Sequence, residues 1–136
     1  MLYSMKLVKE PRDAMCRSGS QMIKCVKSFL NDNLINLYYD AIHESNSPAT
    51  HPVVTGVCSS ALGVKKDSAA TMMLYGFSVS TIGAALRLGI IDHIQSQQIL
   101  HRLKPRITQC VKQYLAISIE NMWQFAPEYD IIQMKH

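Results

Sequence analysis

The residues of this chain that could carry out chemistry are its histidines, its cysteines and its ten carboxylates. The sequence contains no GxSxG, HExxH, Walker or GxGxxG motif, so it lacks the usual local signs of a hydrolase, a metalloprotease or a nucleotide-binding enzyme. Its carboxylates are scattered, without the apolar pairing that tunes a general acid and a general base. The sequence therefore predicts a protein that is not an enzyme.

The five histidines offer only limited metal chemistry. His93 and His101 would lie about 12 Å apart along a helix, too far to chelate one ion within it. A lone histidine can still bind nickel or zinc at a two-fold axis, where a symmetry mate supplies the second ligand. His51 and His136 are the weak candidates for such a site, because neither has a clear core role. The alternative for each is a solvated or capping side chain.

The cysteines form no CxxC pair, and each falls on an apolar stripe: Cys16, Cys25, Cys58 and Cys110. This pattern predicts reduced, buried thiols, as is usual in the cytosol. The amino terminus shows no basic-then-apolar signal sequence. We therefore expect a cytoplasmic protein.

The formal net charge is +4, with six basic and two acidic residues between Met1 and Lys27. That excess could attract an acidic partner. It also leaves open a small basic helical protein that binds nucleic acid through a helix from Arg12 to Lys27. No recognisable nucleic-acid-binding motif supports this alternative.

The composition, 48% hydrophobic with few Gly and Pro residues, predicts an all-α fold. We expect one domain over residues 1–136, an antiparallel bundle of about six helices with short connections. Pro105 should stop the fifth helix and begin the sixth. Asp67 should cap the fourth helix, and Asp92 with Gln95 has the spacing of a capping box. The expected helices cover residues 12–30, 34–43, 52–63, 67–89, 93–104 and 105–125.

The fourth of these helices contains an uncharged run from Ser68 to Leu86. It is long enough to span a membrane, but its Ser and Thr residues argue against a span, and no Trp or basic cluster marks both of its ends. We predict instead a helix buried on most sides, either as the central helix of the bundle or as part of a subunit interface as well. Arg87 at its end should find a structural ion pair or bind a partner. Small residues form one stripe that would admit another helix: Ala69, Gly76, Ser80, Gly83 and Ala84.

Several segments together resemble a known family. "HPVVTGVCSSALGV", "YGFSVSTIGAALRLG" and "QSQQILHRLKPRI" resemble the second half of the UreF family of urease accessory proteins. That family shows an H-P-V-x-x-G segment, an apolar helix ending in A-x-R-L-G, and a Gln-containing helix. "KEPRDAMCRSGSQMI" and "EYDIIQMKH" resemble its E-L-R-x-A segment and the start of its tail. The match corresponds to the C-terminal two-thirds of the family pattern, truncated at both ends.

The resemblance implies an all-helical, non-enzymatic protein that forms a homodimer. It implies a scaffold that bridges a nickel-carrying GTPase and a second accessory protein to apo-urease, so that nickel reaches the urease active site. No tightly bound cofactor is implied, and nickel is expected only in transit. Residues 127–136 would form a tail that contacts a partner. By position, Ile131, Met134 and His136 would belong to that contact. We also expect Arg87 and Gln97 to bind partners.

Overall fold

The computed structural model describes residues 2–5, 8–122 and 131–132, and this part of the chain is helical without any strand. The all-α prediction is therefore confirmed. Within these residues, six α-helices are followed by a short 3-10 turn at Ile119–Asn121. The helices are α1 (Leu2–Met5), α2 (Lys9–Phe29), α3 (Asn33–His43), α4 (His51–Ala61), α5 (Lys66–Arg87) and α6 (His93–Tyr114).

The chain divides into two compact units. The described residues up to Val64, with those from Asn121 onward, form the first unit, and Lys65–Glu120 forms the second. The single domain and the antiparallel bundle of the whole chain stay predictions.

In the first unit, α2, α3 and α4 pack against one another. Their contacts bury an aliphatic core of Ile23, Val26, Ile35, Val54 and Cys58, with Ala49 beside it. Each large aliphatic side chain buried in this way contributes about 1.5–3 kcal/mol to folding. The carboxylate of Asp32 fixes the start of α3 by accepting hydrogen bonds from the backbone N–H groups of Leu34, at 2.8 Å, and Ile35, at 3.2 Å.

In the second unit, α5 packs against α6. Gly89 follows the last turn of α5 with a φ of 70°, a left-handed conformation that glycine adopts without strain. The predicted capping box is confirmed: Asp92 Oδ1 accepts from the Gln95 N–H at 2.7 Å, and Gln95 Oε1 accepts from the Asp92 N–H at 2.9 Å. The predicted Asp67 cap is wrong, because α5 begins after Lys65 and Asp67 lies within its first turn.

The predicted helix boundary at Pro105 is also wrong. Pro105 lies inside α6, which runs without interruption to Tyr114 instead of to about residue 125. A proline here removes the hydrogen bond to the carbonyl of His101. Both residues are exposed, so water can bond to that carbonyl. Leu100, Ile107 and Val111 are buried on either side of the proline, and their packing stabilises one continuous helix.

The prediction that α5 is a central helix, buried on most sides, is wrong for the described residues. Ile82 is its only buried residue. A Cβ added at Gly76 would meet nothing within 4 Å, and one at Gly83 would approach only Arg87 of the same helix. The physical reason is that the second unit offers α5 a single packing partner, α6, which covers one face.

By length and composition α5 is the one helix of the described chain that could cross a bilayer. Its most apolar window has a mean hydropathy of 1.4. One such helix is weak support for a membrane span, because helices of soluble proteins can be equally apolar.

Candidate partner interface

Arg87, a predicted partner-binding residue, is the last residue of α5 and is exposed. Within the described part of the chain its side chain forms neither an ion pair nor a hydrogen bond. Its guanidinium folds back over its own helix, where Nη1 lies 3.5 Å from the position of a Cβ at Gly83. Of the two roles predicted for Arg87, the structural ion pair is therefore absent from the described residues.

A cleft between α5 and α6 contains the second predicted residue, Gln97. The cleft has a volume of about 420 Å³. One side comes from α5 and the other from the middle of α6, and its lining residues are Tyr75, Gln97, Gln98, Leu100, His101, Arg102 and Lys104. Leu100 is buried, whereas the polar lining residues are exposed. The cleft therefore presents hydrogen-bond donors and cations to solvent beside an apolar contact.

Apolar side chains are also exposed in the second unit. On α5, Met72 and Phe77 are 61% and 66% exposed, and Leu88 and Ile90 after the helix are exposed as well. Met72 and Val79, seven residues apart, lie on the same side of α5, and exposed apolar surface commonly marks a site of contact with another macromolecule when it is contiguous.

His51, a weak metal candidate, is the first residue of α4 and is half-buried. Its backbone carbonyl accepts a hydrogen bond from Thr55 Oγ1 at 2.8 Å. Among the described residues, no three histidine, cysteine or acidic side chains come close enough together to hold a metal ion. A site shared by two copies of His51 stays a prediction.

The predicted tail contributes one described contact residue, Ile131, which is 53% exposed. Met134 and His136 lie outside the described residues, as does most of the tail over residues 127–136. Their partner-binding roles stay predictions.

The four cysteines are all free, but they are not all buried. Cys58 is buried, and this burial raises the pKa of its thiol. The pKa of Cys16 is also raised, mainly by burial and further by the negative charge of Asp13. Cys25 is exposed, which corrects the prediction of four buried thiols. It lies on the solvent side of α2, next to Lys24, which is also exposed.

Two of the cations on α2 make contacts within the first unit. The Arg12 guanidinium lies over the Tyr3 ring, 4.8 Å from its centroid. Lys27 Nζ donates to Asn36 Oδ1 at 2.9 Å and lies 4.3 Å from the centroid of the Tyr39 ring. These contacts occupy both ends of the surface that the nucleic-acid alternative would use.

The sequence interpretation missed Tyr75, His101, Arg102 and Lys104 as members of the cleft. One signal could have found the cations: between His93 and Tyr114 the sequence has four Lys and Arg residues and no Asp or Glu. Tyr75 could not have been placed there, because its position depends on how α5 packs against α6.

Helical packing and exposed apolar and cationic surfaces are typical of a protein that works through contacts with other macromolecules. Comparison with known proteins gives the family. The UreF family model matches residues 1–104. The chain belongs to the UreF family.

Curated relatives match the chain over nearly all its length. The urease accessory protein UreF of Trichodesmium erythraeum is 34% identical, covering 100% of this chain and 59% of the relative. UreF 1 of Brucella melitensis is 30% identical, covering 99% of this chain and 56% of the relative. UreF of Photorhabdus laumondii is 27% identical, with 99% and 59% covered. The chain thus spans less than two thirds of these relatives, and no solved structure matches it.

Proposed function

We propose that this protein is a scaffold in urease maturation, acting without catalysis of its own. In this proposal it bridges a nickel-carrying GTPase and a second accessory protein to apo-urease. Nickel is the cargo of the complex and passes through it in transit. Membership of the UreF family supports the maturation role, since the relatives are named urease accessory proteins.

The proposal is supported mainly by the large exposed surface of α5. Ile82 is the one buried residue of this helix, while Met72, Phe77 and Val79 are exposed. Leaving such side chains in water costs the folded protein the free energy that their burial would release. A scaffold that contacts several proteins recovers this free energy in its complexes.

The same surface supports the proposed homodimer. We propose that this dimer forms in the cytoplasm. Replacing Phe77 by Glu would place a charge in a dimer contact made by α5, so the mass measured by light scattering should fall to that of a monomer. Mixing with liposomes tests the membrane alternative. Co-flotation of the wild-type chain with vesicles, lost in the Phe77→Glu variant, would contradict the proposal.

The maturation role is best tested in a chimera, because the relatives are longer than this chain. The chain would replace the matched segment of the Trichodesmium erythraeum relative. The chimera would be expressed with the urease subunits and the other accessory proteins of that organism. We expect active urease with bound nickel, measured by ammonia release and by elemental analysis of the purified enzyme.

The control is the relative with its matched segment deleted, which should leave urease as apoenzyme. A chimera that folds, as judged by circular dichroism, but activates urease no better than the deletion would overturn the proposed function.

A further inference from the structure

The net positive charge of the protein belongs to its second unit. Lys65–Glu120 contains seven Lys and Arg residues and three Asp and Glu residues, whereas the rest of the chain contains seven of each. The formal net charge of +4 therefore comes entirely from this unit. A concentrated charge of one sign steers partners of the opposite sign toward it.

Within this unit four of the seven cations lie on α6. Arg102, Lys104, Arg106 and Lys112 are exposed, and the buried residues of α6 lie on the side that packs against α5. We call these four residues the cationic face. Arg106 Nη1 approaches Gln109 Oε1 at 3.5 Å, and none of the four forms an ion pair within the described chain. α6 itself has no carboxylate to neutralise them.

The cleft gives part of the cationic face a concave shape. Arg102 and Lys104 line it together with Tyr75, Gln97 and His101. Arginine and lysine donate charge-assisted hydrogen bonds to carboxylates. The Tyr75 hydroxyl and the Gln97 amide can donate as well. The volume of about 420 Å³ has room for an acidic side chain.

From this arrangement we infer that the cationic face and its cleft bind an acidic segment of a protein partner. The inference rests on the proposed function, because it gives the chemistry by which one partner of the scaffold would be recognised. The carboxylates of the segment would pair with Arg102 and Lys104 in the cleft, and with Arg106 and Lys112 farther along α6.

The same surface is poorly suited to nucleic acid. Affinity for nucleic acid grows with the number of phosphates neutralised, and this face supplies few cations. Single strands are held largely by stacking of bases on aromatic side chains. Tyr75 is the one aromatic residue that lines the cleft. A protein segment can instead match a short row of charges with a short row of carboxylates.

The test measures binding of a fluorescein-labelled polyglutamate peptide to the full chain by fluorescence anisotropy. One variant is Arg102→Ala with Lys104→Ala. Its matched control is Lys65→Ala with Lys66→Ala, which removes the same charge from exposed positions of the same unit. We expect the Kd to rise about tenfold in the first variant and less than about twofold in the control.

Equal weakening by both variants, or no binding by the wild-type chain, would overturn the inference. Tighter binding of duplex DNA than of the peptide, lost in the Arg102 and Lys104 variant, would overturn it in favour of nucleic acid. The chimera separates the two proposals. If the chimera activates urease but the Arg102 and Lys104 variant binds the peptide as tightly as the wild type, only this inference is wrong. If the chimera is inactive but the variant binds the peptide more weakly than the wild type, only the proposed urease role is wrong.

Discussion

The α-carbon of Gly19, in the middle of α2, faces the carbonyl oxygen of Ala49 in the connection that leads into α4. A Cβ at residue 19 would overlap that oxygen and would lie 2.9 Å from the backbone nitrogen of His51. The two backbones are therefore in direct contact. This contact positions the start of α4, and with it Val54 and Cys58 of the core.

We predict that Gly19→Ala destabilises the protein. Alanine favours a helix over glycine by about 1 kcal/mol. The overlap with backbone atoms of another segment has to be relieved by movement of one helix, and overpacking of this kind costs about 1–3 kcal/mol. The free energy of unfolding, measured in urea by circular dichroism, should fall by up to about 2 kcal/mol.

Gly56→Ala is the matched control, because Gly56 lies within α4 of the same unit and a Cβ there would meet nothing within 4 Å. That variant should be as stable as the wild type or more stable, by up to about 1 kcal/mol. A change in stability of the same amount and sign in both variants would contradict the close backbone contact at Gly19.

Pro105→Ala should stabilise the protein. Because Pro105 lies inside a continuous α6, alanine would restore the hydrogen bond to the carbonyl of His101 and remove the clash of the ring with the preceding turn. We expect a gain of about 1–3 kcal/mol in the free energy of unfolding. If a new helix began at this proline, alanine would instead be neutral or destabilising by about 0.4–1 kcal/mol.

Pro52→Ala provides the comparison for Pro105. Pro52 lies in the first turn of α4, where no helical hydrogen bond is lost. Its replacement should bring no gain. Similar gains at both prolines would contradict the continuous helix.

Cys58 and Cys25 should differ in their reaction with iodoacetamide. Cys25 is exposed and should be alkylated in the native protein, whereas Cys58 should react only after unfolding. Burial raises the pKa of the Cys58 thiol above its ordinary value of 9.0, so its neutral form is favoured in the fold. The free energy of unfolding therefore has its full value below the pKa of the unfolded thiol. It decreases as the pH rises from there through the pKa of Cys58 in the folded protein.

The measurement is mass spectrometry of alkylated peptides at neutral and alkaline pH. Cys25→Ser serves as the control, and it should leave the slow labelling of Cys58 unchanged. Native Cys58 that reacts as fast as Cys25 at neutral pH would show that the core around α4 is open.

Local rules predicted some of the features that depend on neighbouring residues, although the Asp67 cap was wrong. The Asp92–Gln95 capping box is correct because both partners lie within one turn. Pro105 was misjudged because the rule for proline is local, while the packing of Leu100 and Ile107 against α5 acts across it. The sequence also could not show that Gly19, and not Gly76, meets another backbone. That distinction depends on how the helices pack.

Only part of the candidate site could be predicted from the sequence, for the same reason. Gln97 was identified by resemblance and lies in the cleft. The basic excess near the amino terminus drew attention to α2, where Arg12 and Lys27 make contacts with aromatic rings of their own unit. Arg17 and Lys24 of α2 are exposed, but the cations that line the cleft are on α6, and finding them required the packing of that helix against α5.

Under the proposed function, Arg87→Ala should weaken the capture of the proposed urease accessory partners without changing stability. Arg87 is exposed at the end of α5 and forms no ion pair in the described chain, so its removal leaves no buried charge unpaired.

Tagged wild-type and variant chains would be used to recover the nickel-carrying GTPase and the second accessory protein from purified mixtures. Arg17→Ala, an exposed change of equal charge on α2, is the control and should recover both partners fully. We expect the recovery of at least one partner to fall several-fold for Arg87→Ala, since arginine is enriched among the interface residues whose truncation weakens binding most. Equal recovery of both partners by wild type and variant would remove Arg87 from the interface.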